Sequence, residues 1–117
     1  MYAFELWDAT TSELLACTFG VALGRWFHDF TMMTLERSKR NCGAVLTKAV
    51  GHALASTGVE YWYWGMEIGY MSDYAKYGAH KTTRREYYSS IRDLGTRDVD
   101  EHVDAFIARG AGLVAPL

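Results

Sequence analysis

Residues 5–33 read ELWDATTSELLACTFGVALGRWFHDFTMM, and this stretch decides the fold. Its first run, residues 2–7, is rich in aromatic and apolar side chains and stops at Asp8-Ala9-Thr10-Thr11-Ser12, where short polar side chains favour a turn. A second apolar run, residues 14–23, ends at Gly24. A third, residues 26–34, carries Phe27, Phe30, Met32 and Met33. Strand-like runs joined by short connections predict antiparallel hairpins, here a three-stranded meander.

Beyond the meander the hydrophobic period changes. Ala44, Val45, Leu46, Ala49, Val50, Ala53 and Leu54 recur at three- and four-residue intervals, which predicts an amphipathic helix over residues 38–56. Ser38 or Asn41 is the expected cap, and Gly58 stands just past the end. Gly43 and Gly51 each cost such a helix about 1 kcal/mol relative to Ala, so close packing is expected there. Residues 59–64, VEYWYW, read as a buried central strand ended by Gly65. A short helix over residues 72–77 closes at Gly78, and residues 79–82 read as a short strand. Thr83-Arg84-Arg85-Glu86 is a capping box that opens a helix to Leu94. Asp98-Val99-Asp100-Glu101 is a further cap, for a last helix with Val99, Val103, Phe106 and Ile107 on its apolar stripe and Gly110 at its end.

Composition bounds the function. With 117 residues, 50% hydrophobic and 22% charged, the chain fits one core and is not a disordered segment. A net charge of −2 excludes a global basic field for nucleic acid. Two local segments are nevertheless basic, residues 35–48 at +3 and residues 80–93 at +2. Cys17 and Cys42 form no CxxC pair, and the four His show no metal-ligand spacing, so no metal is expected. The start MYAFELWD has no basic region of a signal peptide, and the longest uncharged run is 11 residues, too short to span a bilayer. A soluble cytoplasmic protein without a membrane segment is expected.

The element order and the residues together resemble the C-terminal, GNAT-like domain of leucyl/phenylalanyl-tRNA–protein transferases. That family shows a Glu-x-Trp strand, a Tyr-Gly-Val-x-x-Gly strand and a Phe-x-Gly-Glu-Ser-Met strand. They stand here as Glu5-Leu6-Trp7, Phe19-Gly20-Val21-Ala22-Leu23-Gly24 and Phe27-His28-Asp29-Phe30-Thr31-Met32. Residues 77–87, YGAHKTTRREY, are similar to the family's Leu-Gly-Ala-x-x-Ile-Pro-Arg-x-x-Phe/Tyr segment, with Thr83 in place of Pro. The stretch WYWGMEIG also resembles the aromatic-rich strand of arginyl-tRNA–protein transferases. The resemblance covers residues 3–91. It implies an α+β, three-layer α/β/α sandwich of the GNAT-like acyltransferase fold, mostly antiparallel, with flanking helices. It divides the chain into an acyltransferase domain, residues 1–95, and a C-terminal helix and tail, residues 96–117. It also implies that an N-terminal family domain is absent, so that a missing partner or self-association covers the first strand.

By resemblance the function is transfer of a leucyl- or phenylalanyl-type amino acid from aminoacyl-tRNA to a protein N-terminal amine, which marks the acceptor for degradation. No cofactor is implied. The alternatives are a coenzyme A-dependent N-acyltransferase and a non-catalytic relative that binds RNA or a partner. The family's functional glutamate falls on Phe30, and its Asp-x-Gln pair falls on Trp62 and Trp64. Glu67, just past the central strand, is therefore the first choice as proton acceptor, with His28 and Asp29 behind it. Thr31 and Met32 border the expected cleft. Trp62 and Trp64 share one strand face, fit either to hold an aminoacyl side chain or adenine or to fill the core. Arg37, Lys39, Arg40, Asn41 and Gly43 open the long helix, where free amides and positive charge suit a phosphate-bearing ligand or make a plain basic helix start. Arg84 and Arg85 oppose the dipole of their helix, which favours a contact with tRNA phosphates.

Overall fold

A computed structural model describes residues 1–35 and 41–111. The meander forms as expected, with β1 (Tyr2–Trp7), β2 (Leu14–Leu23) and β3 (Trp26–Thr34) paired antiparallel in chain order. Asp8 makes the first turn by accepting from the amides of Thr10 and Thr11 at 2.8 and 2.9 Å. Gly24 makes the second at φ 53°, where a Cβ would lie 2.5 Å from the carbonyl oxygens of Leu94 and Arg97. Arg25, beside it, ties this turn to the distal chain. Its guanidinium pairs with Glu60 at 3.1 Å and Asp100 at 2.7 Å and donates to the Asp98 carbonyl at 2.7 Å.

Helix α1 (Cys42–Ser56) and a short β4 (Tyr61–Tyr63) follow, then a 3-10 helix (Gly69–Tyr77), α2 (Arg84–Leu94) and α3 (Val103–Phe106), which runs into one π-helical turn at Ile107–Ala111. The result is a small α+β domain with a four-stranded mixed sheet, because β4 joins β3 in parallel. Leu46, Val50, Ala53 and Leu54 of α1 bury against Phe4, Leu15, Ala16 and Phe27 of the sheet, with Val103 and Phe106 of α3 completing the core. Fully burying a side chain such as Phe27 contributes about 1.5–3 kcal/mol. Gly51 brings the Trp62 ring onto α1, since a Cβ there would stand 3.1 Å from it. On the opposite face α2 covers only the end of the sheet near β3, where Ser90 accepts from the Trp26 indole at 3.1 Å. Ala3, Glu5 and Trp7 of β1 remain exposed on that face.

Several expectations need correction. Residues 59–64 do not make a central strand: β4 has three residues, none fully buried, and lies at the sheet edge. Its short ladder ends because the chain leaves β3 after Tyr63. Residues 79–82 form no strand, and Thr82 meets the sheet by accepting from the Tyr61 hydroxyl at 3.1 Å. The last helix starts at Val103 with His102 at its N-cap, because Asp100 and Glu101 are committed to Arg25 and Arg109. Gly110 lies inside the π-helical turn. Asn41 occupies the N-cap of α1 in a left-handed conformation, φ 49°, and its side chain caps nothing. Ser38 lies outside the described residues. The capping box forms in full: Glu86 N–H donates to Thr83 Oγ1 at 3.2 Å, and Thr83 N–H to Glu86 Oε2 at 2.6 Å. No helix among the described residues is long and apolar enough to cross a membrane.

Candidate functional site

A cleft of about 650 Å³ opens where β3 and β4 part. Parallel pairing lasts only from Trp26 to His28 on β3, opposite Tyr61 to Tyr63. Beyond it β3 runs on to Thr34, while the other chain leaves through Trp64 and Gly65 toward the 3-10 helix. Three walls enclose the space. One is the C-terminal half of β3, from Asp29 to Met32 and Thr34. The second is the start of α1, with Asn41, Gly43, Ala44 and Thr47. The third is Trp62, Trp64 and the Met- and Tyr-bearing segment behind them.

A bulge shapes the first wall. Phe19 pairs with Thr31 but Gly20 pairs with Asp29, so Phe30 is an extra residue in β3. The insertion allows Asp29 and Met32, three positions apart, both to reach the α1 side. Gly20 permits it by having no side chain: a Cβ would stand 2.3 Å from the His28 carbonyl and from the Phe27 ring.

Asp29 is the buried carboxyl group of the cleft, only 7% exposed. Burial raises its pKa above the ordinary value of 3.8. Hydrogen bonding from Thr18, the Trp62 indole and the Thr31 amide opposes that rise. The Thr18 hydroxyl lies 2.5 Å from Asp29 Oδ1 and 2.7 Å from the Thr31 carbonyl oxygen. The Trp62 indole N–H is close enough to favour the carboxylate, yet it is buried without a partner in hydrogen-bond geometry. Asp73 and Lys76 are the other charged residues among the described lining.

The aromatic wall is continuous. Trp62 and Trp64 meet edge-to-face with ring centres 4.6 Å apart, and Trp64 meets Tyr74 at 4.7 Å. Met32, Met66 and Met71 add flexible thioethers that adapt to an apolar guest. At the α1 end, the first helical bond is Val45 N–H to the Asn41 carbonyl at 3.1 Å. Among the described residues no side chain caps the amides before it, and Asn41, Gly43 and Ala44 set this positive end of the helix on the border of the cleft.

The sequence-derived site residues divide accordingly. Asp29, Thr31, Met32, Asn41, Gly43, Trp62 and Trp64 line one space. Glu67 is not among the lining residues; it is exposed and pairs with Lys81 at 2.9 Å. His28 sits on the opposite face within an aromatic cage of Trp26, Phe30 and Tyr63, where burial lowers its pKa. Arg84 and Arg85 are exposed on the first turn of α2, away from the described lining. Arg37, Lys39 and Arg40 lie outside the described residues. Sequence reasoning missed Thr18 and Tyr74. No local signal marks Thr18, which is an ordinary strand residue until β3 folds beside it. Among the described residues no group of three His, Cys, Asp or Glu could hold a metal ion. A scan against protein-family models and a search of curated proteins both find no match.

Proposed function

We propose that this chain is an acyltransferase of GNAT-like, three-layer α/β/α fold. It moves a leucyl- or phenylalanyl-type amino acid from aminoacyl-tRNA to the N-terminal amine of a protein. The observation that carries the reading is the cleft between parting parallel strands, which combines a buried carboxyl group, an aromatic and thioether wall and an uncapped helix start. Acyl transfer to an amine needs those three things: a proton acceptor, a socket for the acyl side chain and a positive locus for a phosphate-bearing donor.

The acceptor amine attacks the ester carbonyl, so a C–N bond forms and the bond from the carbonyl carbon to the ribose oxygen breaks. The amine proton passes to Asp29, which returns it to the ribose oxygen as that oxygen leaves. Trp62 and Trp64 hold the aminoacyl side chain, and the α1 start faces the donor's terminal nucleotide. The test is transfer of labelled leucine or phenylalanine from charged tRNA to a peptide with a free N-terminus. Transfer that falls in Asp29→Asn and Trp64→Ala supports the reading.

The uncapped α1 start, with Gly43 in the cleft lining, also suits the pyrophosphate of coenzyme A. Thermal stabilisation by acetyl-coenzyme A but not by charged tRNA makes coenzyme A the donor. Silence toward both donors leaves the non-catalytic alternative, in which the cleft binds RNA or a partner chain.

A further inference from the structure

Thr18 carries one hydroxyl hydrogen, yet its oxygen lies within hydrogen-bond distance of two oxygens, 2.5 Å from Asp29 Oδ1 and 2.7 Å from the Thr31 carbonyl. A carbonyl oxygen and an ionised carboxylate can only accept. One hydrogen serves both contacts only as a shared three-centre bond. With Asp29 as a carboxylic acid each contact has a hydrogen of its own, Asp29 donating to Thr18 Oγ1 while Thr18 donates to Thr31. Both Thr18 and Asp29 are buried.

Burial is the largest influence on Asp29 and favours the acid, against the hydrogen-bond donors around it. Asp29 faces Thr18 from β2, the Thr31 backbone within β3, and the Trp62 indole from β4. The nearby start of α1 contributes the uncharged Asn41 and Thr47 to the cleft, and the 3-10 helix contributes Asp73 and Lys76. No charged side chain among the described residues pairs with Asp29. A buried acid without a cation neutralises itself rather than remain charged. A cation entering the cleft reverses that balance.

We propose that Asp29 seats a cationic amine in the cleft, releasing to solvent the proton it shares with Thr18 as the amine arrives. The step balances: a carboxylic acid and an ammonium ion become a carboxylate–ammonium pair and one free proton. The Thr18 hydroxyl and the amine N–H groups then satisfy the carboxylate. The inference rests on the reading of the cleft as the amine-acceptor site and deepens it. Amine binding is an ion exchange, and the bound carboxylate stands ready to take a proton from the ammonium group, which frees the lone pair that attacks.

Calorimetric titration of the whole chain with phenylalaninamide, at one pH in phosphate and in Tris, tests this. The two buffers differ in heat of ionisation, so their heats differ by the protons released, up to about one per amine bound. Asp29→Asn abolishes the difference and weakens binding about tenfold or more, the loss of a charge-assisted pair. Thr18→Val keeps the side-chain size and removes the shared hydroxyl, so the pH at which release occurs moves. Equal heats in the two buffers, no binding, an unmoved Thr18→Val profile, or release that depends on Asp73 instead each overturn the proposal. Proton release without transfer from charged tRNA sinks the transferase reading and leaves this one standing. Full-rate transfer by Asp29→Asn does the reverse.

Discussion

His28 and Asp29 are neighbours on β3 and face opposite sides of the sheet. Burial acts on both and favours the uncharged form of each, lowering the histidine pKa and raising the aspartate pKa. Their surroundings differ. His28 is partly buried among Trp26, Phe30 and Tyr63 beside α2 and is not among the residues lining the cleft. Asp29 borders a cleft because β4 pairs with β3 only as far as His28. The first part of β3, paired on both sides, holds the fold. The remainder, paired on one side, leaves backbone and side chains free for a ligand.

The largest effect separates those two parts of β3. Phe27→Ala empties a fully buried site and should cost about 3–5 kcal/mol in chemical denaturation. Met32→Ala, on the cleft side, should cost less than half as much. Equal losses would mean that the cleft half also carries the core, and the comparison would fail.

Trp64→Ala comes next. It removes a ring from the cleft wall that is only partly buried. Acyl transfer should drop about tenfold or more, equivalent to about 1.4 kcal/mol of transition-state binding. The face under α2 supplies the counterpart. Thr83→Ala breaks the capping box of α2 and should cost about 1 kcal/mol of stability, with transfer unchanged. Loss of transfer in that variant would show that the two faces are coupled.

The smallest effect is in pH dependence, where the two neighbours act with opposite sign. The Asp29 pKa is raised in the folded protein, so its contribution to stability is complete below the unfolded value and is lost as pH rises through the folded one. The His28 pKa is lowered from 6.5, so its contribution is complete above 6.5 and is lost as pH falls toward the folded value. Asp29→Asn should flatten the fall on the rising side, and His28→Phe the fall below pH 6.5. Thermal melts across pH read both, and slopes of the same sign would refute the assignment.

Much of this architecture was legible in residue order. Alternating and apolar runs fixed the bounds of β1, β2 and β3, and Thr83 with Glu86 fixed the start of α2. Trp62 and Trp64 fall on one face because strand side chains alternate. Other features gave no local signal. VEYWYW reads as a buried central strand, yet an edge strand with helices on two sides needs the same aromatic residues. Glu67 follows a strand, as a cleft acid would, but the chain turns away and Lys81 takes it.

The sequence by itself determined the meander, the amphipathic α1 and the capped α2, because periodicity, turn residues and caps act over a few positions. Tertiary structure alone decided which acid enters the cleft. The bulge at Phe30 depends on the pairing of β2 with β3, where Phe19 meets Thr31 and Gly20 meets Asp29, and on the space left at Gly20 for the Phe27 ring. The proton that Asp29 shares with Thr18 depends on the same pairing. A carboxyl group's charge is set by what surrounds it, and for Asp29 those neighbours come from three strands.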